Sequence, residues 1–201
     1  MPDATVSIPS TPTPWQQYQL ALDDVTDRLE RITGALTTAG VPHALVGGQA
    51  VALWVATRDS AAVRTTKDVD LLIRKADLPA AKKAARSIGM EYCEILGVGM
   101  FLESSDPNPC KAVKLLWAAE RVCADDALLS PRVDSCIELE PGKSAVPLAD
   151  LVTMKLMANR DQDRVHLRDI IDVELVDRSM QAHLPAELAL RLDDLLTDAG
   201  L

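Results

Sequence analysis

Two stretches of the chain decide its fold, Leu45-Val46-Gly47-Gly48-Gln49-Ala50 and Asp68-Val69-Asp70-Leu71-Leu72-Ile73. The first places a glycine pair after an apolar strand, and the second places two carboxylates one residue apart at the head of another strand. Side chains alternate between the faces of a strand, so Asp68 and Asp70 are predicted to point the same way while Val69 and Leu71 face the core. Two converging carboxylates supply oxygen ligands of the kind that Mg²⁺ prefers. The pattern predicts a site for a metal-bound triphosphate.

Composition excludes several other classes of protein. A net charge of −9 argues against a broad nucleic-acid-binding face, although a local basic groove stays open. The four cysteines are too widely spaced for a paired-cysteine zinc site, and with no recognisable secretory signal they are expected to be reduced thiols in a cytoplasmic protein. No apolar stretch approaches the roughly 20 residues that cross a bilayer, so no membrane association is expected.

The order of patterns predicts an α+β fold, with a small mixed β-sheet, an N-terminal helix and a C-terminal helical section. The predicted divisions are a flexible Pro-rich leader at 1–14, the N-terminal helix at 15–40, an α/β core at 41–145 and the helical section at 146–201. Strands are predicted at 44–46, 69–73, within 90–102 and at 112–117, with a Pro/Gly-rich connection at 141–147. Helices are predicted at 49–56, 77–87, 148–159, 166–177 and 185–198.

The N-terminal helix carries a continuous apolar stripe, in steps of three and four residues, from Trp15 to Leu36. Thr13 is suited to cap this helix and Pro14 to begin it, while Gly40 and Pro42 end it. One interpretation is a helix packed on the domain. The other is the seam of a homodimer, because the same spacing fits a heptad.

The glycine pair, the spacer and Asp68-Val69-Asp70 resemble the nucleotidyltransferase superfamily of the DNA polymerase β type, over about residues 40–118. The resemblance implies that the glycine turn approaches the triphosphate, that Asp68 and Asp70 hold Mg²⁺, and that a nucleotide passes from NTP to a hydroxyl acceptor with release of pyrophosphate. It also implies a third carboxylate on a neighbouring strand. The nucleotide-binding candidates are Gly47, Gly48, Thr66, Lys67, Lys114 and Arg160.

Three features depart from that family. Gly48 stands where active members often carry serine, and the spacer of 19 residues between Gly48 and Asp68 is longer than usual. Lys114 stands where the third carboxylate is expected. Its ammonium either supplies a charge to the site, in place of a second metal or toward a phosphate, or pairs with Asp68 or Asp70 as a structural ion pair.

The C-terminal section is similar to AbiEii/MenT-like nucleotidyltransferases, toxins of bacterial toxin–antitoxin and phage-defence systems. The resemblance rests on Lys155, on Arg160 just after it, and on Arg168-Asp169-Ile170-Ile171-Asp172 in the next helix. It implies the catalytic set Asp68, Asp70, Lys155 and Asp169, with Lys155 on the triphosphate and Asp169 orienting Lys155 or the base. These motifs also resemble the motifs of uncharacterised nucleotidyltransferase-like proteins of bacteria.

From the residues alone, the charges of this section are equally well explained as solvated helix faces and interhelix ion pairs. His166 has Asp163 and Asp169 within helical range, so it is a secondary candidate for acid/base work, whereas His43 is expected to be structural.

Two functions therefore stand as predictions. The first is Mg²⁺-dependent transfer of a nucleotide from NTP to RNA or a small hydroxyl acceptor, in a toxin-like enzyme with an antitoxin partner. The second is a catalytically degenerate member that serves as a nucleotide-binding or regulatory module. Gly48, the long spacer and Lys114 favour the second.

Overall fold

The computed structural model describes residues 11–123 and 126–201, so the first ten residues of the predicted leader lie outside the described part of the chain. The helices are α1 (Pro14–Thr38), α2 (Gly47–Ala56), α3 (Leu78–Ser87), α4 (Leu148–Ala158), α5 (Asp161–Asp172) and α6 (Ala186–Asp198). The strands are β1 (His43–Leu45), β2 (Val69–Ile73), β3 (Met90–Ile95), β4 (Val98–Glu103), β5 (Val113–Trp117), β6 (Ile137–Glu140) and β7 (Lys143–Ala145).

The strands form one mixed sheet in the order β3-β4-β5-β2-β1-β7-β6. Strand β2 lies at its centre, antiparallel to β1 and parallel to β5. The register with β5 sets Asp70 directly opposite Lys114. This mixed α/β architecture confirms the predicted fold class.

Strand β2 is packed in the hydrophobic core. Val69, Leu71, Leu72 and Ile73 are all fully buried, and only Asp70 in this strand keeps contact with solvent. The alternation of strand side chains thus separates a polar carboxylate from its apolar neighbours, as the sequence predicted.

Helix α1 packs on the domain through its C-terminal part. Thr13 and Gln16 form a capping box at its start, and Ile32 and Leu36 are completely buried. Trp15 and Tyr18, at the start of the stripe, are 66% and 45% exposed. The packed interpretation is therefore correct for the second half of the helix, and a homodimer through the first half stays a prediction.

The C-terminal helices are joined by a tight turn that positions charged side chains. Asn159 ends α4 in the left-handed region, with φ of 46°, which asparagine tolerates better than most residues. Helix α5 begins two residues later. Arg191 of α6 donates a hydrogen bond to the carbonyl of Leu156 at 2.7 Å and so holds the last turn of α4 in place.

Three predicted segments had wrong bounds. The predicted connection at 141–147 contains the turn of a β-hairpin, formed by Pro141 and Gly142 with Gly142 at φ 78°, and its second strand, β7. Helix α5 starts at Asp161 instead of 166 and ends at Asp172 instead of 177, since acidic residues in its first turn favour a helix N-terminus there. Helix α2 starts at Gly47, so the glycine pair forms its first turn.

All four cysteines are free in the described part of the chain. Among residues 11–123 and 126–201, no helix combines the length and apolar character that a membrane span requires.

Candidate functional site

A cleft of about 380 Å³ opens between the sheet and the C-terminal helices. Its lining brings together residues far apart in the sequence: Gly47, Gly48, Thr66, Asp68, Asp70, Lys114, Lys155, Arg160, Asp163 and His166. Apolar side chains, among them Leu116, Leu151 and Met154, complete the wall. Every predicted site residue except Lys67 and Asp169 lines this cleft.

The glycine pair places the N-terminus of α2 at the cleft. Gly47 has φ of 64°, and a Cβ built on it would lie 2.3 Å from Asp70 Oδ2. Only glycine permits both the backbone conformation and this approach of the main chain to the carboxylate. Within the described chain, no side chain caps this end of α2. The first backbone N–H groups of the helix are thus available to an anion such as a phosphate.

The structure explains why position 48 has no side chain. A Cβ on Gly48 would lie 2.6 Å from Thr66 Oγ1 and 3.0 Å from Thr66 Cβ. The threonine hydroxyl therefore occupies the space that a Cβ at position 48 would need. Gln49 donates weak hydrogen bonds to the carbonyls of Thr66 and Asp68, at 3.5 and 3.4 Å, which keep this segment against α2.

Asp68 and Asp70 face the same cleft, as the strand periodicity predicted. Lys114 Nζ donates to Asp68 Oδ1 at 2.6 Å. Burial raises the pKa of the Asp70 carboxyl above its usual range, and the charge of Asp68 adds to that shift while Lys114 opposes it. Burial disfavours the charge of Lys114, but the hydrogen bond and charge of Asp68 raise its pKa overall. Lys114 and Asp68 thus form an ion pair, and whether the pair is only structural or supplies a charge to a ligand stays a prediction.

Lys155 is held by a carboxylate that the sequence analysis did not assign to the site. Its Nζ donates to Asp163 Oδ1 at 2.8 Å, and Arg160 Nε donates to Asp163 Oδ2 at 2.6 Å. Burial opposes the charge of Asp163, but the hydrogen bonds from Arg160 and Lys155 lower its pKa overall. Lys155 and Asp163 are buried, whereas the Arg160 side chain is 75% exposed. Arg160 is the more accessible cation for a ligand.

The predicted role of Asp169 in orienting Lys155 is not what the structure shows. Asp169 lies a turn and a half beyond Asp163 on α5 and accepts a hydrogen bond from Arg64 Nε at 2.6 Å. Its carboxylate is buried, and its other oxygen, Oδ2, has no partner in the described chain. Asp169 thus ties α5 to the segment that leads into Asp68. Asp163 is the carboxylate that contacts Lys155, and the alternative role of Asp169, in orienting the base, stays a prediction.

The two candidate histidines differ in position. His166 lines the cleft, is 8% exposed, and its Nδ1 has no partner among the described residues. Burial lowers its pKa, and Lys155 adds to the effect. His43 Nδ1 lies 2.9 Å from the carbonyl of Val41, which fits the structural role expected of it.

The donor set fits a resident metal ion poorly. Asp68 and Asp70 have the right oxygen chemistry, but Asp68 already contacts Lys114. Across residues 11–123 and 126–201, no group of three or more acidic, histidine or cysteine side chains could hold an ion. The structure therefore does not support a metal centre built from protein side chains alone.

Two contacts were not predicted from the sequence: Asp163 as a residue of the cleft and Arg64 as the partner of Asp169. Arg64 lies in the long spacer, and no periodicity relates it to a helix about one hundred residues later. Asp163 carries a local signal, since a carboxylate at the third helical position commonly accepts the N–H of the residue before the helix. The bond from Arg160 N to Asp163 Oδ2, at 3.3 Å, is of that kind. Lys67 is exposed outside the cleft.

Comparison with known proteins gives a likeness of structure. No protein-family model matches the chain, and no curated protein matches it. The solution structure of the antibiotic-resistance factor ANT(2'')-Ia matches with a TM-score of 0.51 at 14% identity, over 91% of this chain and 93% of that one. A crystal structure of ANT(2'')-Ia in complex with adenylyl-2''-tobramycin matches at 14% identity with a TM-score of 0.49, over 80% and 98%. The first match shows that this chain shares the fold of ANT(2'')-Ia.

Proposed function

We propose that the protein binds a nucleoside triphosphate in this cleft and transfers its nucleotide to a hydroxyl acceptor. The observation that carries the proposal is the approach of Gly47 to Asp70, which brings the uncapped N-terminus of α2 beside a buried carboxylate. A helix N-terminus attracts phosphate. Arg160, exposed on the opposite wall, adds a cation on the side of the C-terminal helices.

The proposed reaction is a displacement at phosphorus. The acceptor oxygen forms a bond to the α-phosphorus, the bond from that phosphorus to the bridging oxygen breaks, and pyrophosphate leaves with the electron pair. The hydroxyl proton is released to water. The chain contributes by positioning and by charge, with backbone N–H groups and Arg160 facing the phosphates.

Mg²⁺ would enter this reaction with the nucleotide. RNA or a small hydroxyl compound is the acceptor we propose. A toxin-like role, with an antitoxin partner, is supported by the similarity of the Lys155 to Asp172 motifs to AbiEii/MenT-like proteins. A cytoplasmic location agrees with the free cysteines.

A second function is favoured by one observation, the ion pair of Lys114 with Asp68. A carboxylate neutralised in this way suits a protein that binds a nucleotide without turning it over. Such a module would regulate or recruit another protein in response to the nucleotide.

Transfer of label separates the two functions. The protein is incubated with α-³²P-labelled ribonucleoside triphosphates and Mg²⁺, with total RNA in one arm and a panel of small polyhydroxyl compounds in the other. We expect label on an acceptor, and we expect its loss in the double variant Asp68→Ala, Asp70→Ala but not in Asp194→Asn, an exposed carboxylate of α6 outside the cleft. Equal labelling by the double variant would contradict the proposed site. Binding of a nucleotide without transfer in either arm would favour the module.

A further inference from the structure

An internal cation lies at the floor of the cleft. Lys114 extends from β5, directly opposite Asp70 in β2, and its Nζ lies 2.6 Å from Asp68 Oδ1. The two side chains are 36% and 40% exposed, and both line the cleft. The pairing of β2 with β5 thus places Lys114 beside Asp68, and both side chains face the space that a ligand would enter.

A divalent cation and this ammonium need the same oxygen atoms. Mg²⁺ binds carboxylate oxygens at about 2.0–2.1 Å in a strict octahedral geometry. Asp68 cannot offer Oδ1 to such an ion while Lys114 Nζ stays in contact with it. Two positive charges within a few ångströms also repel each other strongly in a partly buried site.

The other cations of the site do not take the place of Lys114 beside Asp68 and Asp70. Lys155 and Arg160 both contact Asp163, so the carboxylates at the head of β2 have Lys114 as their nearest ion-pair partner. A nucleoside triphosphate changes the balance, because its phosphates bring several negative charges and their own oxygen ligands. Lys114 then has a phosphate to contact in place of Asp68.

We propose that Lys114 is an internal counter-cation that excludes free divalent ions from the cleft, so that a divalent ion enters only as part of a metal–nucleotide complex. This inference rests on the proposed binding of a nucleoside triphosphate. Lys114 acts here as a positioning residue and takes no part in a chemical step.

The test measures metal binding without nucleotide. Mn²⁺ is titrated into the protein of 201 residues, and free Mn²⁺ is followed by electron paramagnetic resonance. The variants are Lys114→Gln and the matched control Lys111→Gln, whose lysine pairs with the exposed Asp106 outside the cleft. We expect no cleft binding in the parent or in Lys111→Gln, and about tenfold or greater gain of affinity in Lys114→Gln. Adding Asp70→Asn to Lys114→Gln is expected to abolish the gain.

Two outcomes would overturn the inference. One is Mn²⁺ binding to the nucleotide-free parent that Asp70→Asn removes, and the other is the absence of binding in a folded Lys114→Gln. If Lys114→Gln does not fold, Lys114→Met serves in its place, with the same expected gain and the same two overturning outcomes. A separate titration of the parent with metal–nucleotide complexes tests the proposed function, whose failure would leave no nucleotide binding at any metal concentration.

Discussion

Lys155 Nζ donates to Asp163 Oδ1 across the turn between α4 and α5, and both partners are buried, with side chains 8% and 1% exposed. The same carboxylate accepts hydrogen bonds from the side chain and the backbone of Arg160. One aspartate thereby fixes the two C-terminal cations that line the cleft. The stability of this helix pair and the shape of the cleft depend on the same contact.

Asp163→Asn should lower the free energy of unfolding by about 3–5 kcal/mol, since it leaves the buried Lys155 ammonium without a charged partner. Urea denaturation measures the change. Asp172→Asn, on the exposed face of the same helix, should stay within about 0.5 kcal/mol of the parent. If both variants lose a similar free energy of unfolding, the buried ion pair of Lys155 and Asp163 does not stabilise the protein more than an exposed carboxylate does.

Arg64 and Asp169 should be energetically coupled. A double-mutant cycle of Arg64→Ala and Asp169→Asn is expected to give an interaction energy of at least about 0.5 kcal/mol, because their contact is one of the links between the spacer and α5. Arg168→Ala combined with Asp169→Asn is the control cycle, since Arg168 points instead toward Asp198. If the effects of Arg64→Ala and Asp169→Asn simply add, the contact between these residues does not fix the spacer to α5.

Gly48→Ser should destabilise the protein, because its Cβ would meet the side chain of Thr66. Thr66→Ala removes the nearest atom, Oγ1, so the double variant Gly48→Ser, Thr66→Ala should recover much of the loss. Thermal melting compares the two. If the double variant is as unstable as Gly48→Ser, steric conflict with the Thr66 hydroxyl is not the cause.

Acid should weaken the fold through the half-buried His43 and the buried His166. Burial lowers the pKa of both His43 and His166 in the folded protein, so the unfolded chain takes up protons first as the pH falls. The contribution of these histidines to the free energy of unfolding is fully present above their pKa in the unfolded chain, about 6.5. It is lost as the pH falls from there through their lowered pKa values in the folded protein. Urea midpoints between neutral and mildly acidic pH should therefore fall less steeply in His43→Gln and His166→Gln. His183→Gln, at an exposed site, should follow the parent curve.

The parts of the site that follow local periodicity were predictable. Asp68 and Asp70 reach one cleft because strand side chains alternate. The approach of Gly47 to Asp70 was not predicted, since it depends on the pairing of β1 with β2. The partner of Lys155 was not predictable in this way. It depends on the left-handed turn at Asn159 and on the packing of α4 against α5, and no spacing in the sequence distinguishes Asp163 from Asp169 as its partner.

The hairpin of β6 and β7 could not be predicted from the sequence for a different reason. Ile137-Glu138-Leu139-Glu140 alternates as a strand does, but glutamate is uncommon in strands and Pro141 suggests a linker. The hairpin forms at one edge of the sheet, where β7 pairs with β1. Tertiary pairing of this kind overrides local preference.

Calorimetric titration with each common ribonucleoside triphosphate and Mg²⁺ tests the central claim most directly. The account predicts saturable binding of at least one triphosphate to the parent, and about 2.7 kcal/mol of added stability at a concentration 100 times Kd. Gly47→Ala should lose this binding, because its Cβ would displace the Asp70 carboxylate, while Gly34→Ala, where a Cβ meets open space, should keep it. Absence of binding by every triphosphate, or equal binding by Gly47→Ala, would contradict the account.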